Sequence, residues 1–294
     1  MAHELETLTV SSGTVAADTV TRVKTDDFYW KYFGFLVIAG FLMRLACFTG
    51  LIGSDDVVGY SHFAQLVAQL NYRPELHHFA LRYGLIIPVG ILYRFFGVGE
   101  WTTILLPLLA STASVLAVML SAAKLFDERT ALISGVLMAT FPLELRYATI
   151  LVPEPIAELY VLVAVLVYLH WGAEKPASAG LISGLCIGVA YLTKEPTLFI
   201  APVLVVDALT TRKWRTLFGL ASGLLIIAGV EHVYYAAVTG DLMFRPHAMI
   251  HHNESLAAVD ANQHLWSRLF TAYPEMMIVP TSLPSLVRFP RASF

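Results

Sequence analysis

Two adjacent carboxylates are the first residues in this sequence whose types and spacing could do chemistry. Asp55 and Asp56 follow a possible N-cap serine, Ser54, in the stretch GSDDVVGYSHFAQLVAQL at residues 53–70. Two carboxylates this close should raise the pKa of one of them, which would suit a general base that works near neutral pH. The alternative interpretation is a capped surface helix whose acids only complement the helix dipole.

Other ionisable residues stand at the ends of apolar runs or inside them. Glu154 and Glu158 lie one helical turn apart, so they could act together. Lys194, in LTKEP, either binds an anionic group at headgroup depth or is a lysine that snorkels at a turn. Arg44 lies inside an apolar run, where a charge is costly and usually faces a polar cavity, or else snorkels to the interface.

Histidines and tyrosines offer weaker signals. His251 and His252 lie in a polar segment and could be metal or phosphate ligands, or simply solvated surface residues. Tyr60 could stack on a ligand, although tyrosines are also common in the aromatic belts of membrane proteins. The two cysteines, Cys47 and Cys186, both fall inside apolar runs and suggest neither a disulfide nor a metal site.

The composition excludes a soluble protein. The chain has 294 residues, of which 57% are hydrophobic and 14% are charged, whereas soluble domains carry about 25% charged residues. We therefore expect a polytopic membrane protein whose spans contact membrane lipids. The net charge of −3 provides no basic field, so nucleic acid is not expected as a partner.

The elements that must position these residues are membrane helices, and we predict an all-α bundle of about seven spans. The predicted spans are residues 32–52, 101–123, 131–148, 156–171, 179–193, 197–209 and 217–238. A further run, residues 81–97, contains Pro88 and is short, which suits a juxtamembrane or re-entrant helix. Keeping it on the outer side places the basic loop 210–215 in the cytoplasm, as the positive-inside rule requires.

This topology divides the chain into three parts. We expect a cytoplasmic tail at residues 1–31, a membrane module at residues 32–239, and an outer loop with an incomplete C-terminal segment at residues 240–294. The stretch at residues 53–70 becomes an amphipathic juxtamembrane helix in the first outer loop. Polar residues from distant loops then converge on the outer face, as in a membrane active site; they are Asp55, Asp56, Arg82, Glu154, Glu158, Lys194 and Glu195.

Three pieces of the sequence resemble the glycosyltransferase C superfamily, specifically its family 39. They are SDDVVGYSHFAQ, the block from FFGVGEW to LVPEP at residues 95–155, and GVAYLTKEPTLFIAPVL. This family includes protein O-mannosyltransferases, aminoarabinose transferases and lipopolysaccharide galacturonosyltransferases. The resemblance covers roughly residues 30–255. Family members are usually longer, so we expect this chain to lack their C-terminal part.

The resemblance implies an inverting transfer of a sugar from a polyprenyl-phosphate donor to a lipid, glycan or protein acceptor. The reaction would take place on the outer face of a membrane, here a bacterial inner membrane. Asp55 aligns with the first acid of the family's acidic pair, with Asp56 as partner or alternate. Lys194 matches a family lysine, which implies that it binds the lipid phosphate, and Arg82 and Arg44 are weaker candidates for the same role.

Glu154 corresponds to the second acidic position of the family. It could hold a divalent metal ion together with Asp55, or orient the acceptor. Metal dependence stays open, because some members of the family need a metal ion and others do not. Four residues are candidates for contact with the sugar or the acceptor, namely Tyr60, Glu158, His251 and His252.

Two other functions fit the same sequence. A membrane transporter or lipid flippase would also carry intramembrane charges and interrupted helices, but we find no pair of similarly interrupted halves in the sequence. The second alternative is a truncated, non-catalytic remnant of the glycosyltransferase fold.

Overall fold

The computed structural model of the protein describes residues 27–51 and 54–251, and every regular element in these ranges is helical. The α-helices are α1 Asp27–Ala46, α2 Asp55–Ala68, α3 Tyr83–Phe96, α4 Glu100–Leu125, α5 Glu128–Thr140, α6 Pro142–Tyr147, α7 Glu154–Trp171, α8 Pro176–Thr193, α9 Ile200–Thr210 and α10 Trp214–Thr239. Short 3-10 helices lie at His78–Leu81 and Glu195–Phe199, and residues 244–251 are also helical. The predicted all-α fold is confirmed.

Four of the described helices are long and apolar enough to cross a membrane, namely α4, α7, α8 and α10. The predicted number of seven spans is not confirmed. The run at residues 131–148 is divided into α5 and α6, because Pro142 restricts Phe141 to an extended conformation. The run at residues 197–209 forms a 3-10 turn followed by α9, which has only 11 residues. The short apolar α3 agrees in length with a juxtamembrane helix.

Helix α2 begins where the sequence predicts. The Oγ atom of Ser54 accepts a hydrogen bond of 3.3 Å from the backbone N–H of Val57, which confirms the N-cap. The helix buries Val57, Tyr60, Phe63 and Ala64. It packs on α3 and on Phe79, whose ring lies so close to Gly59 that a Cβ atom there would be 2.1 Å from it.

Helices α8 and α10 pack at backbone contact through a series of glycines. A Cβ atom added to Gly184 of α8 would lie 2.3 Å from the carbonyl oxygen of Leu220. One added to Gly223 of α10 would lie 2.4 Å from the carbonyl oxygen of Leu181. Gly180 and Gly188 extend the same face at four-residue spacing, so small residues let the two backbones approach as they do in membrane helix pairs.

The antiparallel pair α7 and α8 gives the bundle two chemically different ends. At one end, Glu154 begins α7 and Lys194 directly follows α8. At the other end, the hydroxyl of Tyr168 donates a hydrogen bond of 2.5 Å to Asp207, and Lys213 lies 3.3 Å from the same carboxylate. We call these the Lys194 end and the Lys213 end of the bundle.

Candidate active site

The centre of the Lys194 end is an ion pair between Lys194 and Glu154. Helix α8 stops at Thr193, Lys194 adopts an extended conformation, and Pro196 prevents a regular continuation of the helix. The Nζ atom of Lys194 then lies 2.6 Å from Oε1 of Glu154, the first residue of α7. The other carboxylate oxygen, Oε2, is buried and has no hydrogen-bond partner in the described part of the chain. One carboxylate oxygen of Glu154 is therefore paired with Lys194, and the other is buried without a partner among the described residues.

The first turn of α2 brings Asp55 and Asp56 to the same place. Partial burial raises the pKa of the Asp56 carboxyl above its usual range, and repulsion by Glu154 and Asp55 adds to this, while Lys194 opposes it. Asp55, Asp56, Glu154 and Lys194 thus form one interacting group, which we call the acidic cluster. Three carboxylates and one ammonium group give the acidic cluster a formal charge of −2.

Arg82 lies beside the acidic cluster, between the 3-10 helix His78–Leu81 and α3. Its guanidinium forms an ion pair with Glu195 and lies near the hydroxyl of Tyr60, and burial lowers its pKa. The Tyr60 ring is only 4% exposed and packs edge-on against Phe79, with 4.7 Å between the ring centroids. Burial raises the pKa of Tyr60 to about 12. The ring is covered by protein in this arrangement, so contact with a sugar stays a prediction.

Two residues that the sequence analysis missed complete this end of the bundle. Arg245 donates hydrogen bonds to Glu231 (Nε to Oε1, 2.6 Å), Glu195 (Nη1 to Oε1, 2.8 Å) and the backbone oxygen of Leu81 (2.7 Å). The charges alternate from Arg82 through Glu195 and Arg245 to Glu231. Glu231 had a sequence signal, because it is a carboxylate inside an apolar run. Arg245 had none, since it lies in a polar segment.

Arg44 and Glu158 lie in a different polar cluster. The fully buried guanidinium of Arg44 donates a hydrogen bond of 2.8 Å to Oγ of Ser111, which in turn donates one of 2.8 Å to Glu144. Further N–H groups of Arg44 reach the backbone oxygens of Met138 and Ala139 at the end of α5. Glu158 lies near Glu144 and Arg44, so the charges of the three groups interact. Arg44 therefore joins α1, α4 and α5, and it does not snorkel.

These contacts leave the predicted ligand roles of Arg44 and Glu158 as predictions. His251 is an exposed residue of the helical segment 244–251, and His252 lies outside the described residues. Within residues 27–51 and 54–251, no group of three His, Cys, Asp or Glu side chains is suited to a metal ion. Asp55 and Glu154 provide two carboxylates, one oxygen of which is held by Lys194. We therefore derive no step through a metal ion.

An apolar groove of about 490 Å³ opens beside the cationic residues, between α2, α3, α8 and α10. Its lining residues are Val67, Leu70, Tyr72, Tyr83, Ile87, Leu192, Val230, Glu231 and Tyr234. Leu192 is two residues before Lys194, and Tyr83 directly follows Arg82. The groove therefore offers an apolar wall next to positively charged groups, which is the pattern of a lipid with an anionic headgroup.

Comparison with known protein families gives a match. The model of a family described as dolichyl-phosphate-mannose-protein mannosyltransferase matches residues 88–235, which is half of the chain. The matched range contains Glu154 and Lys194, whereas Asp55, Asp56 and Arg82 precede it. The chain matches no curated protein and no solved structure.

Proposed function

Since this chain belongs to the dolichyl-phosphate-mannose-protein mannosyltransferase family, and so is a membrane glycosyltransferase of the C superfamily, we propose that its donor is a polyprenyl-phosphate-linked sugar. The proposed reaction transfers this sugar to a hydroxyl of an acceptor at the Lys194 end of the bundle. We place that end on the outer face of a bacterial inner membrane, because the basic turn at residues 210–215 lies at the opposite end. The observation that carries the proposal is the acidic cluster beside the apolar groove.

The proposed chemistry begins with Asp56 as the general base. Its carboxylate takes the proton of the acceptor hydroxyl while the hydroxyl oxygen forms a bond to the anomeric carbon of the sugar. The bond between that carbon and the phosphate oxygen breaks, and the lipid phosphate leaves with the electron pair. Attack opposite to the leaving group inverts the configuration at the anomeric carbon. The raised pKa of Asp56 supports this role, because it brings the base closer to neutral pH.

Lys194 and Arg82 are the proposed cations for the leaving phosphate. A cation stabilises the transition state when it lies where negative charge develops. In this structure Lys194 is paired with Glu154, so binding of a phosphate would draw the ammonium group away and leave Glu154 free to orient the acceptor. Arg82 is held in place by Glu195 and, through it, by Arg245. We propose that Glu154 positions Lys194 before the phosphate binds, that Glu195 positions Arg82, and that neither acid takes part in proton transfer.

The lipid chain of the donor would lie in the apolar groove. Val230 lines the groove on α10 and is 65% exposed, while Val233, one turn further along α10, is 68% exposed and does not line it. We expect Val230→Trp to fill the groove and raise the KM for the donor at least tenfold, with kcat less affected. Val233→Trp is the matched control and should leave the KM unchanged.

The test uses purified protein in lipid nanodiscs with labelled polyprenyl-phosphate mannose, galacturonic acid or aminoarabinose, and membrane extracts as the source of acceptor. We expect one donor to be consumed, and Asp56→Asn to slow its transfer by about 10²–10⁴-fold, the usual contribution of a general base. Glu174→Gln, an exposed carboxylate at the other end of the bundle, should transfer at the wild-type rate. Transfer by the Asp56→Asn protein at the wild-type rate would refute the role of the base, and failure to consume any donor would favour a non-catalytic protein.

A further inference from the structure

A polar face of α2 leads away from the acidic cluster. Exposed side chains at positions 55, 58, 62 and 69, with the half-buried Gln65, recur three or four residues apart, so they lie on one face of the helix. Four of the five are polar, namely Asp55, His62, Gln65 and Gln69. The 14 residues of α2 span about 20 Å at 1.5 Å per residue. This polar face therefore runs from the acidic cluster at the start of α2 to the end of that helix.

At the end of α2 lies a second cavity, of about 520 Å³, between α2 and the last turn of α3. The polar residues of its lining are Gln65, Gln69, Tyr93 and Arg94. Among the described residues that line this cavity, Arg94 is the one that carries a charge. Arg94 thus makes the cavity positively charged, and its lining has more polar residues than that of the apolar groove.

The polar groups of this cavity are held in fixed positions. The Tyr93 hydroxyl lies 2.8 Å from Oγ1 of Thr103 and 3.2 Å from Oγ of Ser61, to which the Gln65 amide also donates a hydrogen bond of 3.2 Å. Arg94 donates a hydrogen bond of 2.9 Å to the carbonyl oxygen of Ala68, at the negative end of the α2 dipole. This bond uses one N–H group of the guanidinium, which carries five.

We propose that this cavity and the polar face of α2 form the acceptor site, which binds an extended glycan that carries an acidic group. The acidic group pairs with Arg94, and a hydroxyl of the glycan about 20 Å away reaches Asp56. This inference rests on the proposed function and names its acceptor class.

Three features favour an acidic glycan. Amide and phenol groups can each donate and accept hydrogen bonds, as sugar hydroxyls do. A guanidinium binds a carboxylate or a phosphate through two parallel hydrogen bonds, and Arg94 has N–H groups left for this. Peptide acceptors are usually held at a sheet edge or in apolar pockets, and the outward face of α2 provides one apolar side chain, that of Val58.

The test measures binding of tetragalacturonate, of a phosphorylated tetrasaccharide and of neutral maltotetraose to the full chain in phosphatidylcholine nanodiscs. We expect the wild type to bind at least one of the acidic tetrasaccharides about tenfold more tightly than the neutral one, since hydrogen bonds to charged groups are among the stronger ones. Arg94→Gln should abolish this preference, and Arg94→Lys should keep only part of it, because lysine preserves the charge without the paired hydrogen bonds. Arg73→Gln removes an exposed arginine outside the cavity and should bind as the wild type does.

Three results would overturn the acceptor site. They are equal affinity for acidic and neutral tetrasaccharides, a preference that survives in Arg94→Gln, and loss of the preference when phosphatidylglycerol is added, which would assign Arg94 to lipid headgroups. Donor consumption by the wild type, measured on the same preparation, separates this inference from the proposed function. A protein that consumes donor without an Arg94-dependent preference refutes the acceptor site alone. A protein with that preference that consumes no donor refutes the reaction alone.

Discussion

At the scale of single residues, sequence and structure point to different members of the adjacent acids Asp55 and Asp56. Asp55 and Asp56 are adjacent in the sequence, and the family resemblance favours Asp55 as the base. In the fold, partial burial and the neighbouring carboxylates Glu154 and Asp55 raise the pKa of Asp56. A base needs a pKa near the working pH, so we propose Asp56 for this role.

The raised pKa of Asp56 predicts how activity and stability depend on pH. Transfer should fall as the pH drops through the pKa of Asp56, so the acidic limb of kcat/KM should lie above the pH at which an ordinary aspartate titrates. Because the pKa is higher in the folded than in the unfolded state, the contribution of Asp56 to stability is present at low pH and lost as the pH rises through the folded-state pKa. Asp56→Asn should therefore unfold at a slightly higher temperature than the wild type at neutral pH.

Two measurements check this prediction. The first is the pH profile of sugar transfer by the wild type and by Asp55→Asn, and the second is thermal unfolding of Asp56→Asn at pH 7 and at acidic pH. The gain in stability should be less than about 1 kcal/mol, because the side chain is largely solvated. Burial is the main cause of the raised pKa, so the acidic limb should stay above the range of an ordinary aspartate in Asp55→Asn. An acidic limb that returns to that range in Asp55→Asn would contradict the assignment, as would an Asp56→Asn protein that is less stable than the wild type at pH 7.

At the scale of helices, the glycine contact between α8 and α10 sets the position of the active-site residues. Lys194 directly follows α8, and Glu231 lies on α10, so both depend on how these helices pack. The glycines of α8 recur every four residues; Gly180 and Gly184 meet backbone atoms of α10, and Gly188 meets the side chain of Ile227. A helix pair held at backbone contact has little freedom to shift, so the end of α8, and with it Lys194, keeps its position relative to α10.

We predict that Gly184→Ala destabilises the protein, by about 1–3 kcal/mol as for other overpacked contacts. The new Cβ atom would lie 2.3 Å from a backbone oxygen, which cannot move aside as a flexible side chain can. The measurement is thermal unfolding followed by tryptophan fluorescence. Gly229→Ala in α10 is the control, because a Cβ atom there meets nothing within 4 Å. It should be neutral or stabilising by about 0.5–1 kcal/mol, the gain of alanine over glycine in a helix. Equal effects of the two substitutions would contradict the packing argument.

At the scale of the whole molecule, the two ends of the bundle carry different sets of charged residues. The acidic cluster and the alternating charges from Arg82 to Glu231 lie at the Lys194 end. The Lys213 end carries the basic turn with Arg212 and Arg215. Basic residues favour the cytoplasmic side, so the active site should face the opposite side of the membrane.

This orientation predicts which positions a membrane-impermeant maleimide can label in intact cells. In a chain with Cys47→Ala and Cys186→Ala, Glu75→Cys near the end of α2 should be labelled, because we place it on the outer face. Glu174→Cys, in the turn between α7 and α8 at the other end, should be labelled only after the cells are permeabilised. Both residues are exposed, so accessibility within the fold is matched. Labelling of Glu174→Cys in intact cells would reverse the proposed orientation.

The sequence by itself determined the class of the protein, its family motifs and the N-cap of α2. Composition and apolar runs specify a helical membrane protein, because the bilayer requires backbone groups to be satisfied within helices. The resemblance to the glycosyltransferases rested on local motifs, and the family match confirms it. Ser54 could be recognised as an N-cap, since its hydrogen bond reaches only three residues along the chain.

Only the tertiary structure decided which charges meet. Glu154 and Lys194 are 40 residues apart, and Arg245 meets Leu81 across 164 residues, so no local pattern could pair them. The same holds for Arg44, whose partners Ser111 and Ala139 are provided by two other helices. Burial and long-range electrostatic interactions depend on how helices pack, and a pKa such as that of Asp56 follows from this packing.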